Sequence, residues 1–486
     1  MDKQLIAKVV ADVMTKIREQ ESSAASTTPT PTSNPQVMIR KGPRKGVFER
    51  AEDAALAAKE GQEQLRKKGI DTRVEITRLI KEICVEKAAE WGKLEFEETK
   101  LGRLDHKIEK LQIVKDVPGV EWLRPYGLSG DNGITLEEFA PFGVVAGITP
   151  VTHSVPTIAG NIVSMVSAGN GVVFNAHPAG AKCAAHAINY FNEAIEKKTG
   201  IQNLVTIVEE PSIESFDALC NSEAVDLLCI TGGPAVVKAA MKSGKRAICA
   251  GPGNPPVVVD ETADLDFAAR SVIQGGGYDN NLLCIGEKQV FVVDLVYDRF
   301  IEAMGRAGAH YLKTPEVKQL VSEVFAYKAD GGGCSHPVLN REFVGADASI
   351  LAKAAGSSCS AKTEILYSEC NFECPFVQEE QMMPMIPVVL AKDVNTAIEM
   401  AYQSEHQYRH SAIMHSKNLD NLTKMGRRMD CTLFVKNGPS VAGLGLGGEG
   451  YLNYSVATTT GEGIVTPLTF TRKRRCVMVD NLNIIG

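Results

Sequence analysis

The sequence lacks several things whose absence narrows the possible functions. No apolar run approaches the ~20 residues of a membrane helix, so none is expected. No Cys-x-x-Cys pair occurs among the twelve cysteines, and no secretory segment precedes them. They are read as reduced thiols of a cytosolic protein rather than a disulfide framework. Cys370 and Cys374 come nearest to ligand spacing, but His and further Cys are missing at metal spacing, so core or loop thiols are expected and no metal site. Nor is there a surplus of positive charge: 52 basic against 59 acidic residues give a net charge of -7. Nothing in that balance calls for nucleic acid, and it suits solubility. A genuine dinucleotide fingerprint is missing as well. Gly443-Leu444-Gly445-Leu446-Gly447-Gly448 matches G-x-G-x-x-G, but too little chain follows for a βαβαβ unit, so a flexible loop near an active-site mouth is expected.

What is present fills two or three domains of ordinary globular composition. Residues 1–18 place Leu5, Ile6, Val9, Val10, Val13, Met14 and Ile17 at helical spacing, with charged residues between them. Residues 19–45 include a polar, Pro-containing linker that cannot bury a core. An apolar stripe on a tether is expected to bind a partner helix; the alternative is a helix folded back on its own domain. Residues 46–117 are expected to be helical, with Val74, Ile76, Leu79, Ile80 and Ile83 as one stripe. Leu123–Leu128 and Ile134–Phe142 are strand-like around Ser129-Gly130-Asp131-Asn132-Gly133, a hairpin signal.

From Val144 short apolar strands alternate with helices, which indicates a parallel α/β sheet. Ligands of such sheets bind at the carboxyl ends of strands, where Thr149, Asn175 and Thr231 fall. Thr231-Gly232-Gly233 opens a helix at Pro234, whose free amides and dipole suit a pyrophosphate; an ordinary tight strand–helix turn would read the same. Further on, Gly275-Gly276-Gly277-Tyr278-Asp279-Asn280-Asn281-Leu282-Leu283-Cys284 is expected as a Gly/Asn-rich loop that lets amides approach whatever the sulfur attacks. A lone cysteine would equally suit a buried structural thiol. The basic run 472–475 enters a strand; by itself such a run could also suit a nucleic-acid patch.

The order of these pieces resembles the aldehyde dehydrogenase superfamily over about residues 45–486. The carriers are Ile148-Thr149-Pro150, Ile230-Thr231-Gly232-Gly233, Ala250-Gly251-Pro252-Gly253-Asn254-Pro255, Thr262-Ala263-Asp264-Leu265-Asp266, Cys284, Tyr297-Asp298-Arg299-Phe300 and Glu379-Glu380-Gln381-Met382-Met383-Pro384. Hydrolytic members carry a Glu before the Gly-Gly turn; here Cys249 stands there. That departure, with Thr466-Pro467-Leu468-Thr469-Phe470-Thr471-Arg472, resembles the coenzyme A-acylating aldehyde dehydrogenases of the propionaldehyde type found in bacterial microcompartments.

The resemblance implies an α/β fold with a Rossmann-type cofactor domain (46–120 and 143–255), a catalytic domain (256–464) and a small β oligomerisation arm (121–142 and 465–486). It implies that Cys284 attacks a short-chain aldehyde such as propionaldehyde and that CoA takes the acyl group. The oxyanion would be held by the Cys284 amide and a donor near Thr152 or His153. Cofactor contacts would come from Ile148, Thr149, Pro150, Asn175, His177, Thr231, Gly232, Gly233 and Glu380, the last on the nicotinamide ribose. The cofactor expected is NAD, with NADP as the alternative. The implied setting is a bacterial cytoplasm, inside a microcompartment whose shell or cargo binds residues 1–18, with the enzyme a dimer or tetramer. The competing readings are a hydrolysing aldehyde dehydrogenase, a histidinol dehydrogenase-like enzyme suggested by Gly251-Pro252-Gly253-Asn254, and a non-catalytic cargo or scaffold protein.

Overall fold

The computed structural model describes residues 39–40, 42–329, 335–480, 482 and 484. The 1–18 helix and most of the linker lie outside the described residues.

Six parallel strands form the first sheet, in the order Val47–Phe48, Val205–Val208, Gly171–Ala176, Val144–Thr149, Leu227–Thr231, Ala247–Ala250. Its strands are short runs of Val, Ile and Leu buried on both faces, as parallel sheets require. The chain steps outward from Val144–Thr149 through two strands and then returns to pair Leu227–Thr231 beside it. The strand order therefore reverses between Thr149 and Thr231, where α/β sheets open a crevice for ligands.

The helix Ser154–Ser167 follows the first of these strands and is buried along its whole length. Such all-round burial fits its apolar sequence. Ile76, Ile80 and Ile83 join the same core from the helix Ile70–Glu86, with Leu79 partly buried against it; Val74, expected in the same stripe, faces out. The stretch 71–91 is two helices, Ile70–Glu86 and Ala88–Thr99, joined at Lys87.

The second sheet has seven parallel strands, with Pro256–Val259 and Gln289–Val293 paired near its middle and Ser411–His415 on the other side of Pro256–Val259. A third sheet of three antiparallel strands joins Tyr126–Gly130, Gly133–Pro141 and Thr471–Val479. Its hairpin turns through Asp131 and Asn132 alone, tighter than the five-residue loop expected. The basic strand pairs within its own chain: Arg475 faces Glu137 and forms an ion pair with it.

The glycine triplet is the clearest difference. Gly275, Gly276 and Gly277 are not loop; they are the last turn of the helix Leu265–Gly277. A Cβ on Gly275 would sit 2.0 Å from a Glu287 carboxylate oxygen, and one on Gly276 3.0 Å from Ile365. These glycines serve close packing of a helix end rather than freedom of a loop. The decoy motif is a short 3-10 turn, Ser440–Leu444, and the loop after it.

Candidate active site

At the reversal of the first sheet lies a cleft of about 360 Å³. Ile148, Thr149, Pro150, Thr152, Asn175, His177, Thr231, Gly232 and Gly233 line it, together with Val344 and Met382 from the second half of the chain. The sequence expectation thus draws together three strand ends and two turns that are far apart in the chain. Two of the helices that begin around this crevice differ at their N-termini. The first-turn amides of Ser154–Ser167 are already taken: Glu95 accepts from Ser154 at 3.2 Å and Val155 at 3.0 Å. The helix Pro234–Lys242 has no side-chain cap at Gly233, and a Cβ there would meet nothing within 4 Å. An open helix N-terminus floored by glycine fits a pyrophosphate. The Thr149 hydroxyl, buried and without a hydrogen-bond partner, is a further group that fits a bound dinucleotide.

Cys284 follows the short 3-10 turn Tyr278–Asn281 and lies just ahead of Gln289–Val293. Three residues in a row are left-handed, at φ +49° for Asp279, +54° for Asn280 and +63° for Asn281. Asp and Asn bear this better than other side chains, but a run of three must be held by its surroundings. It is held. Asp279 accepts from the Arg103 amide at 2.7 Å and from Lys110, and its own amide donates to His106 at 2.8 Å. The Asn280 amide donates to the Gly345 carbonyl at 2.9 Å and to Asp347 at 2.8 Å. Asn281 donates to the Glu287 carbonyl at 2.9 Å. Val344 is on the cleft wall and Gly345 holds Asn280, so the cysteine loop and the cleft are neighbours.

Cys284 keeps part of its surface open. Burial pushes its thiol up to about 12 and Glu380 adds to the rise, while Lys288, its own backbone amide and Lys110 pull it back. Glu380 is two residues from Met382 on the cleft wall, but it does not line the cleft. Burial lifts its carboxyl to about 7, opposed by Lys288 and a hydrogen bond from the Gly253 amide. Its partners, Lys288 and Gly253, belong with the cysteine loop rather than the cleft. Thr152 lines the cleft, and Lys107 fixes its carbonyl at 2.5 Å. His153 is buried beside Tyr454, with ring centroids 5.5 Å apart and its Nδ1 unpaired. Burial, with Lys110 and Lys107 nearby, holds it well below the usual imidazole range, so it is neutral.

Cys249 ends a strand of the first sheet, fully buried, and its amide donates to Thr460 at 2.9 Å. Burial raises its thiol to about 11, with help from Glu462. Thr460 in turn donates to Glu462.

Sequence reasoning missed three groups. Lys288 and Lys110 are lysines with no exposure at all, in stretches that read as an ordinary strand start and an ordinary helix face. His410 is fully buried with Nε2 unpaired, and a Cβ on Gly253 would touch both its ring, at 2.8 Å, and the Cys284 carbonyl, at 2.7 Å. No spacing rule connects His410 to Cys284. The one available signal was the glycine of Gly251-Pro252-Gly253, which marks a close approach.

A parallel-sheet crevice with an open helix N-terminus, set beside a cysteine on a braced loop, is an arrangement suited to an α/β oxidoreductase. The chain belongs to the aldehyde dehydrogenase family, whose model matches residues 19–315. It is 41% identical over 487 residues to acetaldehyde dehydrogenase (acetylating) EutE of Salmonella typhimurium, the match covering all of both chains. Among solved structures, it resembles a propionaldehyde dehydrogenase from the Clostridium phytofermentans fucose utilisation bacterial microcompartment, with 40% identity and a TM-score of 0.87, covering 90% of this chain and 100% of that one. It also resembles Rhodopseudomonas palustris propionaldehyde dehydrogenase with bound CoA and an acylated cysteine, with 41% identity, a TM-score of 0.86 and coverage of 90% and 99%.

Proposed function

We propose that the protein oxidises a short-chain aldehyde to its acyl-CoA through a thioester on Cys284. The observation that carries this reading is a partly open cysteine on a braced, strained loop beside the cleft, in a chain whose relatives are named for acylating chemistry.

As thiolate, Cys284 adds to the aldehyde carbon and gives a thiohemiacetal. Its own amide is one donor to the oxyanion, with Thr152 or His153 as the second; one such donor commonly contributes about 10²–10³ in rate. The bound dinucleotide supplies the hydride acceptor. Thr149, the Gly232-Gly233 turn and the Pro234–Lys242 helix start hold it against the first sheet, with Ile148, Pro150, Asn175 and His177 around it. The acyl group then waits on Cys284 until the CoA sulfur takes it. Thioester is exchanged for thioester, so the transfer is nearly balanced and reversible.

Among the described residues that line the cleft there is no Lys or Arg to take a 2′-phosphate, which favours NAD over NADP. The oligomer is assigned to the three-stranded sheet, whose edge strands expose Leu128, Val477 and Val479. Residues 1–18 are assigned to docking on the shell or cargo of a microcompartment in a bacterial cytoplasm.

The test is NADH formation over a panel of short aldehydes, with and without CoA and with NAD or NADP. CoA-dependent turnover with NAD is the expected result. Steady release of free acid without CoA would put the hydrolysing reading in its place.

A further inference from the structure

Three lysines near the nucleophile have at most 1% of their surface exposed. Two of them have a carboxylate: Lys107 lies 3.1 Å from Glu95, and Lys110 pairs with Asp279. Lys288 is different. Its ammonium donates to the Asn281 carbonyl at 2.8 Å, the Asn281 side-chain oxygen at 2.6 Å and the Leu283 carbonyl at 3.3 Å. All three are neutral oxygens of the loop that leads into Cys284. No carboxylate among the described residues lies within ion-pair distance of it. A buried charge without a counter-charge is costly, and a folded protein that keeps one has a use for it.

The titratable groups that interact with Lys288 are Cys284, Glu380, Glu287 and His410. Glu287 is committed elsewhere: its two carboxylate oxygens accept from the Ser440 amide at 2.8 Å and the Ser440 hydroxyl at 2.6 Å. Glu380 accepts from the Gly253 amide. His410 is buried, and burial together with Lys288 keeps it neutral. Glu380 and the sulfur of Cys284 are thus the two acidic groups that act on this ammonium most strongly, and only the sulfur is part of the reacting loop that the ammonium holds.

We propose that Lys288 is the positioning residue of the nucleophile: it fastens the loop ahead of Cys284 through three hydrogen bonds and sets a buried ammonium next to the reacting loop, where it favours the anionic sulfur. This rests on the reading of Cys284 as the nucleophile. The sulfur is anionic twice per turnover. It attacks the aldehyde as thiolate, forming the carbon–sulfur bond while the carbonyl electron pair moves to oxygen. It leaves as thiolate when the CoA sulfur bonds to the acyl carbon, the carbon–sulfur bond to Cys284 breaks, and the CoA thiol proton passes to solvent. One buried ammonium stabilises both species and couples attack to departure.

The experiment reads the rate of Cys284 alkylation by iodoacetamide, followed by mass spectrometry from pH 6 to 10 on the full-length protein. Wild type, Lys288→Gln, Lys288→Arg and Lys288→Met are compared. In Lys288→Gln the side chain still donates but the charge is gone. Its profile should move to higher pH, with the rate at pH 7 down about tenfold for each unit of displacement. kcat should fall with it and recover as pH rises, while KM for the aldehyde stays within about threefold. Lys288→Arg, which keeps the charge, should hold the wild-type profile. If Lys288→Gln does not fold, Lys288→Met decides: its unbranched side chain fills the site without a charge, and its profile should move to higher pH. A profile that coincides with wild type in Lys288→Gln, or in Lys288→Met where that variant decides, overturns the proposal. Failure of the nucleophile reading would look different: Cys284→Ala would keep its turnover, whatever the alkylation profiles show.

Discussion

At the scale of single residues, Cys284 and Cys249 divide the chemistry between them. Cys284→Ala should abolish aldehyde oxidation while dinucleotide affinity and the melting temperature stay near wild type. NADH formation and a binding titration check this, and residual turnover within tenfold of wild type would remove Cys284 from the role. Cys249 makes the opposite case. The resemblance to hydrolytic aldehyde dehydrogenases would set it at their base, and a general base commonly contributes about 10²–10⁴-fold. A buried thiol pushed up to about 11 supplies no such base at neutral pH. Without CoA, the wild type should therefore show a burst of about one NADH per site and then a slow steady rate, as expected of an acyl-enzyme that accumulates. Cys249→Glu should raise that steady rate. Rapid-mixing absorbance distinguishes burst from steady turnover. Thr149 and the Gly232-Gly233 turn were legible as positions at the crevice because strand ends and turn glycines leave local marks, whereas Cys284 stood out through the family resemblance. Lys288, Lys110 and His410 were not legible, because a buried charge and a solvated one look alike until the fold brings their partners.

At the scale of elements, periodicity found the helices and the parallel strands, and composition misjudged the glycines. Three successive glycines suggest a loop when nothing is known of what packs against them. Here the neighbours are Glu287, Ile365 and Glu364, and the helix end needs side-chain-free positions to reach them. Gly275→Ala should therefore destabilise the protein despite the better helix propensity of alanine. The added methyl collides with the carboxylate that holds Ser440, and overpacking of this kind costs about 1–3 kcal/mol. Chemical denaturation of the purified variant measures the loss. A variant as stable as wild type would show that Glu287 can move aside. The two-residue hairpin escaped because Asp131-Asn132 sits between two glycines, and the sequence did not say which of them belonged to strands.

At the scale of the whole molecule, the two parallel sheets follow from alternation of strand and helix, but their meeting does not. The cleft takes Thr149 and Thr231 from one half and Val344 and Met382 from the other. No local pattern marks such a seam. The third sheet carries charge and apolar surface together, with Arg475 on Glu137 and with Val477 and Val479 left exposed. Deletion of residues 1–18 should leave specific activity unchanged and abolish co-purification with shell proteins. Assay of the truncated enzyme and pull-down on shell components would check it; a collapse in activity would mean that the segment packs on its own enzyme.

The braced loop ahead of Cys284 also has a history in time. Asp279 is tied to Arg103 and Lys110 across 176 and 169 residues of chain, and Asn280 to Gly345 across 65. Contacts that span such distances form late, after the intervening chain has found its place. During synthesis or refolding the thiol exists long before its geometry does. A half-folded chain thus carries an ordinary cysteine, and the ability to attack an aldehyde should return only with the last cooperative step.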